Sequence, residues 1–353
     1  VKFGISFFPS VGPSDKSAAT YFDEALRLAA LADHLGFDHV RTVEHYFFHY
    51  GGYSPDPTTL LAAIAARTEH IRLTSAAVIP AFSHPIKLAG KLAMLDNLSH
   101  GRLDVGFGRA FLPDEFAAFQ VPMAQSRARF DEGVEACRRL WSEENVTWDG
   151  EFYQFGPVTL LPRPVQRPHP PIFVAAARSE ESYEIAGREG HHLQTVLAVS
   201  SKEKTQETLR TYRAAWRAAG HRPGAERIQI SLPFFLHEDR DQAYRLGAVD
   251  HAKNTEHIAA AVSAWSRTRS DQYAGYEKIL DGLKNTTYDD RIEQHKMIVG
   301  NPDDVREQLE TIVDWFGDDI SIALVTHSGI LDVDVWENAL RLFSDQVAPK
   351  LGS

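Results

Sequence analysis

The chain has 353 residues, 43% hydrophobic and 24% charged, the composition of a folded globular protein rather than a disordered or fibrous one. A net charge of −11 argues against sequence-independent binding to nucleic acid or an anionic membrane, while leaving room for a small anionic ligand, which needs only a local positive site. No apolar run approaches the ~20 residues that span a bilayer, no signal-peptide pattern opens the chain, and the single cysteine excludes an internal disulfide, so a soluble cytoplasmic protein is expected.

In chain order, residues 2–8 form a short apolar run ended by Pro9, a buried strand. Residues 21–35 carry Phe22, Leu26, Ala29, Ala30 and Ala32 on one helical stripe, and Gly36 stops the helix. A strand over 38–43 delivers an acid and an imidazole side by side, Glu44 and His45, followed by an aromatic cluster and a Gly-Gly turn. Helices are expected at 57–68, with Pro57 in the first turn, and at 85–98, on either side of a strand at 71–79. A strand at 103–108 runs into Arg109, and a helix follows at 125–141. That helix holds Cys137, which reads as a small buried apolar residue rather than a catalytic thiol. Aromatic and turn residues over 146–165 suggest a short β excursion. Strands at 171–176, 192–199 and 227–235 alternate with helices at 179–188 and up to residue 219. The region 241–295 is helical and polar. Its part 268–295 is charged and without clear period, which suggests a mobile flap. Asn301 as N-cap and Pro302 begin another helix, before a last strand at 320–325 and a last helix at 333–347.

Eight mostly apolar strands alternating with helices favour an all-parallel sheet closed into a (β/α)8 barrel, in one domain over 1–353. The competing doubly wound open sheet is weakened by the lack of GxGxxG on the first strand. In a barrel the active site lies at the C-terminal strand ends. Those ends carry Phe8, Glu44, His45, Ala76, Ala77, Gly108, Arg109, Phe111, Ala176, Ala177, Arg178 and Ser179. Arg109, an arginine directly after a strand, suits a phosphate, and Arg127 at a helix start is a second candidate unless it pairs with Asp131. His45 beside Glu44 is a candidate general base or hydrogen donor. His45 and His49 are four apart, but the Gly-Gly turn and the lack of a third clustered ligand leave no metal site expected.

Taken together, KFG, GFDHVRTVEHYF, LTSAAVIPAFSHPI, LDNLSHGRLDVGFGRAF, PPIFVAAARSEES and VGNPDDV resemble the segments of bacterial luciferase-like monooxygenases, with a pattern near that of luciferase α-subunits. The resemblance covers nearly the whole chain. It implies a luciferase-like TIM barrel with insertions that binds reduced FMN supplied by a separate flavin reductase. His45 would lie beside the isoalloxazine ring and help form or hold a C4a-peroxyflavin, with Glu44 orienting the site. A cis peptide would join Ala76 and Ala77 under the ring. Gly108, Arg109, Arg127, Ala176, Ala177, Arg178 and Ser179 would complete the cofactor site. Phe8, Phe47, Phe48, Tyr53, Phe82 and Phe111 suggest an apolar or aromatic organic substrate, oxygenated with O2. The segment 268–295 would be the family's mobile loop, and the chain would form a homodimer.

The chain departs from the luciferase pattern at Gly108, where a reactive cysteine is expected, at Tyr46, where the second histidine stands, and at Ala177-Arg178, in place of Glu-Ser. These point to a tailoring or catabolic monooxygenase rather than a light emitter. The alternatives on the same fold are an F420-dependent hydride-transfer oxidoreductase and a non-catalytic flavin-binding protein.

Overall fold

In a computed structural model, which describes residues 1–177 and 179–351, the strands are β1 (Lys2–Phe7), β2 (His39–Thr42), β3 (Arg72–Ser75), β4 (Leu103–Phe107), β5 (Val146–Asp149), β6 (Gln154–Val158), β7 (Ile172–Ala175), β8 (His192–Val196), β9 (Ile228–Leu236), β10 (Ile298–Gly300) and β11 (Ile320–Thr326). The helices are α1 (Ala18–His34), α2 (Pro57–Ala65), α3 (Pro85–Leu98), α4 (Pro113–Ala118), α5 (Ser126–Ser142), α6 (Glu180–Arg188), α7 (Lys202–Ala218), α8 (Arg240–Ala261), α9 (Ile279–Lys284), α10 (Tyr288–Glu293), α11 (Pro302–Phe316) and α12 (Val333–Leu342).

β1 pairs in parallel with β2, and the ladder continues through β3, β4, β7, β8, β9 and β11 back to β1. The ring is therefore a closed (β/α)8 barrel. Its strands are buried on both faces, which is why they read as apolar runs rather than alternations: every residue of β2 and β4 is buried. β5 and β6 form an antiparallel hairpin apart from the ring, the excursion expected over 146–165. β10 was not anticipated. It adds three residues beside the outer end of β9, with Ile298 opposite Phe234.

Local chemistry sets the helix starts. Asp56 accepts from the Thr58 amide ahead of Pro57, and Asn301 accepts from the Asp303 and Asp304 amides while Asp304 accepts from the Asn301 amide. α1 buries Tyr21, Ala25, Leu28, Ala29 and Ala32, a face rotated slightly from the expected stripe, so that Tyr21 is fully buried and Phe22 packs at the edge of the core. Cys137 is fully buried, and burial pushes its thiol pKa well up, in keeping with an apolar role. No helix among the described residues is long and apolar enough to cross a membrane.

The stretch 268–295 folds into two 3-10 turns, at Asp271–Tyr273 and Tyr276–Lys278, followed by α9 and α10. Tyr273 joins Leu112, Phe116, Val262 and Trp265 in an apolar cluster separate from the main core. The Trp265 indole donates to Phe111 O at 3.1 Å and the Tyr273 hydroxyl to Ala110 O at 2.7 Å, which ties this cover to the exit of β4.

Candidate active site

A cavity of about 570 Å³ opens at the C-terminal ends of the strands, beneath that cover. Phe8 after β1, Glu44 and His45 after β2, Ala76 and Ala77 after β3, Gly108, Arg109 and Phe111 after β4, and Ala176, Ala177 and Ser179 after β7 all line it. The Ala76–Ala77 peptide is cis. A Cβ on Gly108 would stand 3.1 Å from Ala77 Cβ and 3.4 Å from Ile79 Cδ1, so this glycine keeps the wall open beside that peptide.

Glu44 and His45 face different partners. The Glu44 carboxylate accepts from the Tyr46 hydroxyl at 2.7 Å and from the Ile79 amide at 3.1 Å. Burial pushes its pKa up to about 7, against the lowering effect of those two donors. His45 Nδ1 lies 3.1 Å from Glu115 Oε1, and the same oxygen accepts from the Tyr46 amide at 2.9 Å. A carboxylate only accepts, so Nδ1 is the donor in this contact, and in the neutral ring Nε2 is then the acceptor. Phe8, Tyr50 and Phe111 surround the imidazole, with ring centroids 5.3–5.8 Å away. Gly51 makes this packing possible: its φ is +80°, and a Cβ there would fall 2.5 Å from His45 Cβ.

Arg109 donates to Gln272 Oε1 at 3.3 Å and lies 5.1 Å above the Tyr273 ring, which links it to the cover. Arg127 donates to Ser182 Oγ at 2.9 Å and lies 3.6 Å from Glu181, rather than forming the expected helical pair with Asp131. Ser179 is the N-cap of α6, and its side chain makes no capping bond. Arg109, Arg127, Ser179 and Ser182 thus gather near one helix N-terminus, a donor set suited to a phosphate. Arg178 lies outside the described residues.

Four expected substrate contacts sit elsewhere. Phe47 is 65% exposed, because the chain turns outward there with φ +70°. Phe82 stacks on Phe119 at 4.4 Å and meets Phe116 edge-on. The Tyr53 hydroxyl donates to Lys16 O at 2.9 Å, and its ring packs on Tyr21. Phe48 belongs to the apolar cluster under the cover and is not a cavity residue. An aromatic run in a loop has no fixed period, so its sequence did not say which rings turn inward.

Several site residues escaped sequence reasoning. Glu115 comes from α4, 70 positions away from His45, and beside Asp114 in a first turn it reads as an ordinary acid at a helix start. Arg41 has its Nε on Ser6 Oγ and its Nη1 buried without a partner, and burial pushes its pKa down to about 10. Tyr50, Gln194, Arg291, Lys296 and Trp336 also line the cavity. Outside the cavity lining, His49 meets His257 and Asp15 rather than His45, with one ligand atom from each within 4.8 Å of the others.

The family described as luciferase-like monooxygenase matches residues 1–319. The crystal structure of monooxygenase RslO1 from Streptomyces bottropensis is 50% identical, covers 100% of both chains and superposes with a TM-score of 0.89. The oxygenase component of a flavin-dependent trigonelline monooxygenase from Acinetobacter baylyi is 35% identical over 55% of this chain and 54% of its own. The match thus spans about half the length of that curated relative, and 57% of an uncharacterised mycobacterial one. The FMN-bound oxygenating constituent of 3,6-diketocamphane monooxygenase from Pseudomonas putida is 23% identical over 99% of each chain, with a TM-score of 0.82, a likeness of fold.

Proposed function

The chain belongs to the luciferase-like monooxygenase family, and from that premise we propose that it is the oxygenase component of a two-component system that uses reduced FMN and dioxygen to oxygenate an apolar or aromatic organic substrate. One observation carries the proposal. A single cavity joins an imidazole held by a buried carboxylate, His45 on Glu115, to a cationic and hydroxylic end at Arg109, Ser179 and Ser182, with Arg127 behind Ser182 and bonded to it. The donor set there suits the FMN phosphate, and the wall kept open at Gly108 beside Ala77 suits a flat ring. Full-length likeness to a protein named as a monooxygenase favours oxygenation over F420-dependent hydride transfer.

Bound reduced FMN would supply the electrons that activate dioxygen. The chain's residues would do the rest. Arg109 and Arg127 would hold the phosphate end, with Ser179 at the helix terminus. The Ala76–Ala77 and Ala176–Ala177 backbones would border the cofactor. His45, its Nδ1 proton held by Glu115, would present Nε2 to take or return a proton at the reacting oxygen. Glu44 would share a proton with Tyr46 near neutral pH. Trp265 and Tyr273, anchored to the β4 exit, would exclude water. The same proposal makes the chain one barrel domain that works as a cytoplasmic homodimer and draws its cofactor from a separate flavin reductase.

The test is an anaerobic titration with reduced FMN, followed by 18O2 and mass analysis of candidate aromatic products. Tight FMN binding with one labelled oxygen in the product is expected. Binding of F420 with no oxygen consumption would move the protein to hydride transfer. FMN bound with no substrate oxidised would leave a flavin-binding protein.

A further inference from the structure

The cavity has a second cationic end, on the far side of β8 from the phosphate donors. There α8, α10, the outer end of β9 and α12 converge. A Cβ on Gly247 of α8 would fall between the Tyr288 hydroxyl and the Phe235 ring, and Phe235 lies 5.4 Å from Trp336. Arg291, at the end of α10, and Lys296, just before β10, both line the cavity.

Neither cation has an anionic partner among the described residues. Burial alone pushes the Arg291 pKa down, and burial followed by the neighbouring Arg291 charge does the same to Lys296. Arg291 Nε is buried without a hydrogen-bond partner, and so is Trp336 Nε1. Asp250, the carboxyl group that lines this part of the cavity, is engaged with the Ser328 hydroxyl instead. The end of α10 attracts positive charge, but one six-residue helix is a weak counterpart for two cations withdrawn from water.

The unpartnered groups at this end are donors without acceptor capacity, a guanidinium N–H, an ammonium and an indole N–H; Asp250 and His251 also line the cavity, but neither is hydrogen-bonded to them. Their ligand must therefore bring acceptors. The free Nε–H of Arg291 and the adjacent Nη–H form a side-on fork whose spacing matches the two oxygens of a carboxylate, with Lys296 as a compact third donor. The walls between the two ends include the aromatic rings of Phe8, Phe111 and Phe235.

We propose that Arg291 and Lys296 form a substrate anion subsite, and that the substrate is an aromatic carboxylate. The proposal rests on the monooxygenase function above, because it assigns the Arg109 end to the cofactor phosphate and leaves this end to the substrate. It accounts for two cationic ends in one cavity of a chain whose net charge is −11.

The test uses the full chain and two probes of equal shape, 2-naphthoate and neutral 2-naphthamide, with binding read by calorimetry with and without FMN. Wild type should hold the acid at least about tenfold tighter than the amide, as expected for a charge-assisted pair. The preference should fall close to unity in Arg291→Met and partway in Lys296→Gln, with FMN affinity unchanged in both. Equal or absent binding of the two probes by wild type would overturn the subsite, as would an acid preference that survives Arg291→Met. FMN affinity that falls in Arg291→Met would overturn it too, by giving this end to the cofactor phosphate. Failure of FMN to bind wild type at all would count against the proposed function, while the acid-to-amide ratio still reads the subsite.

Discussion

Glu44 and Glu115 are two buried carboxyl groups, and their surroundings give them different work. Glu44 has a pKa pushed from 4.5 to about 7. Between those values the unfolded chain releases this proton while the folded chain keeps it, so stability falls as pH rises through that window and stays lower above it. The difference is up to about 3 kcal/mol. Glu44→Gln removes the titration, so the stability of wild type relative to the variant should fall by that amount between pH 4.5 and 7.5. Urea unfolding at both pH values checks it, and a constant difference would remove Glu44 as the titrating group. Glu115 acts through His45 and is a positioning residue. Glu115→Gln keeps the shape but lets the side-chain amide donate toward Nδ1, which would favour the other tautomer. Oxygenation should slow by roughly ten- to a hundredfold, the worth of one charge-assisted hydrogen bond, with FMN affinity unchanged and the pH profile displaced. Glu115→Asp should restore part of the rate, and FMN affinity lost along with the rate would indicate a structural role instead.

Elements with strong local signals were legible in the sequence, and those held by tertiary contacts were not. Pro57, Pro85 and Pro302 marked the starts of three helices, because proline at the first turn loses no hydrogen bond. α4 has six residues, too few to show a period of 3.6, yet it carries Glu115. The cover over the cavity is built from 3-10 turns and short helices joined by Trp265 packing on Tyr273 and Tyr273 on Phe116, contacts that its charged sequence did not show. The motif residues at strand ends line the cavity where the alternation put them, while the rings of the 46–53 loop scattered because that loop has no period to read. The cover's contact can be tested by Tyr273→Phe, which leaves Ala110 O without its 2.7 Å donor at a cost of about 1 kcal/mol. The variant should bind FMN normally but release more hydrogen peroxide per product formed, as water reaches the site. A peroxide assay beside product quantification checks this, and unchanged coupling would mean that the contact does not seal the cavity.

Across the whole molecule, chemistry and stability occupy opposite ends of the barrel. The cationic and acidic groups of the cavity stand at the C-terminal ends of the strands, while Asp104 sits near the N-terminal end of β4, fully buried. Arg72 of β3 donates to it at 2.9 Å through Nε, and Arg227, just before β9, donates through both Nη atoms at 2.8 and 2.6 Å. Strands from across the ring are therefore joined at the barrel floor by one carboxylate, whose pKa is held below the usual carboxylate range despite its burial, because the two guanidinium groups favour its ionised form. Removing one partner from such a cluster leaves the others withdrawn from water and uncompensated, which costs roughly 3 kcal/mol. Asp104→Ala should lower the unfolding free energy by about that amount, while FMN affinity and product formation per folded molecule stay near wild type, since function in this architecture gathers at the other end. Denaturant unfolding beside an FMN titration separates the two. If affinity falls in step with stability, the two ends of the barrel are coupled, and the floor must be counted as part of the site.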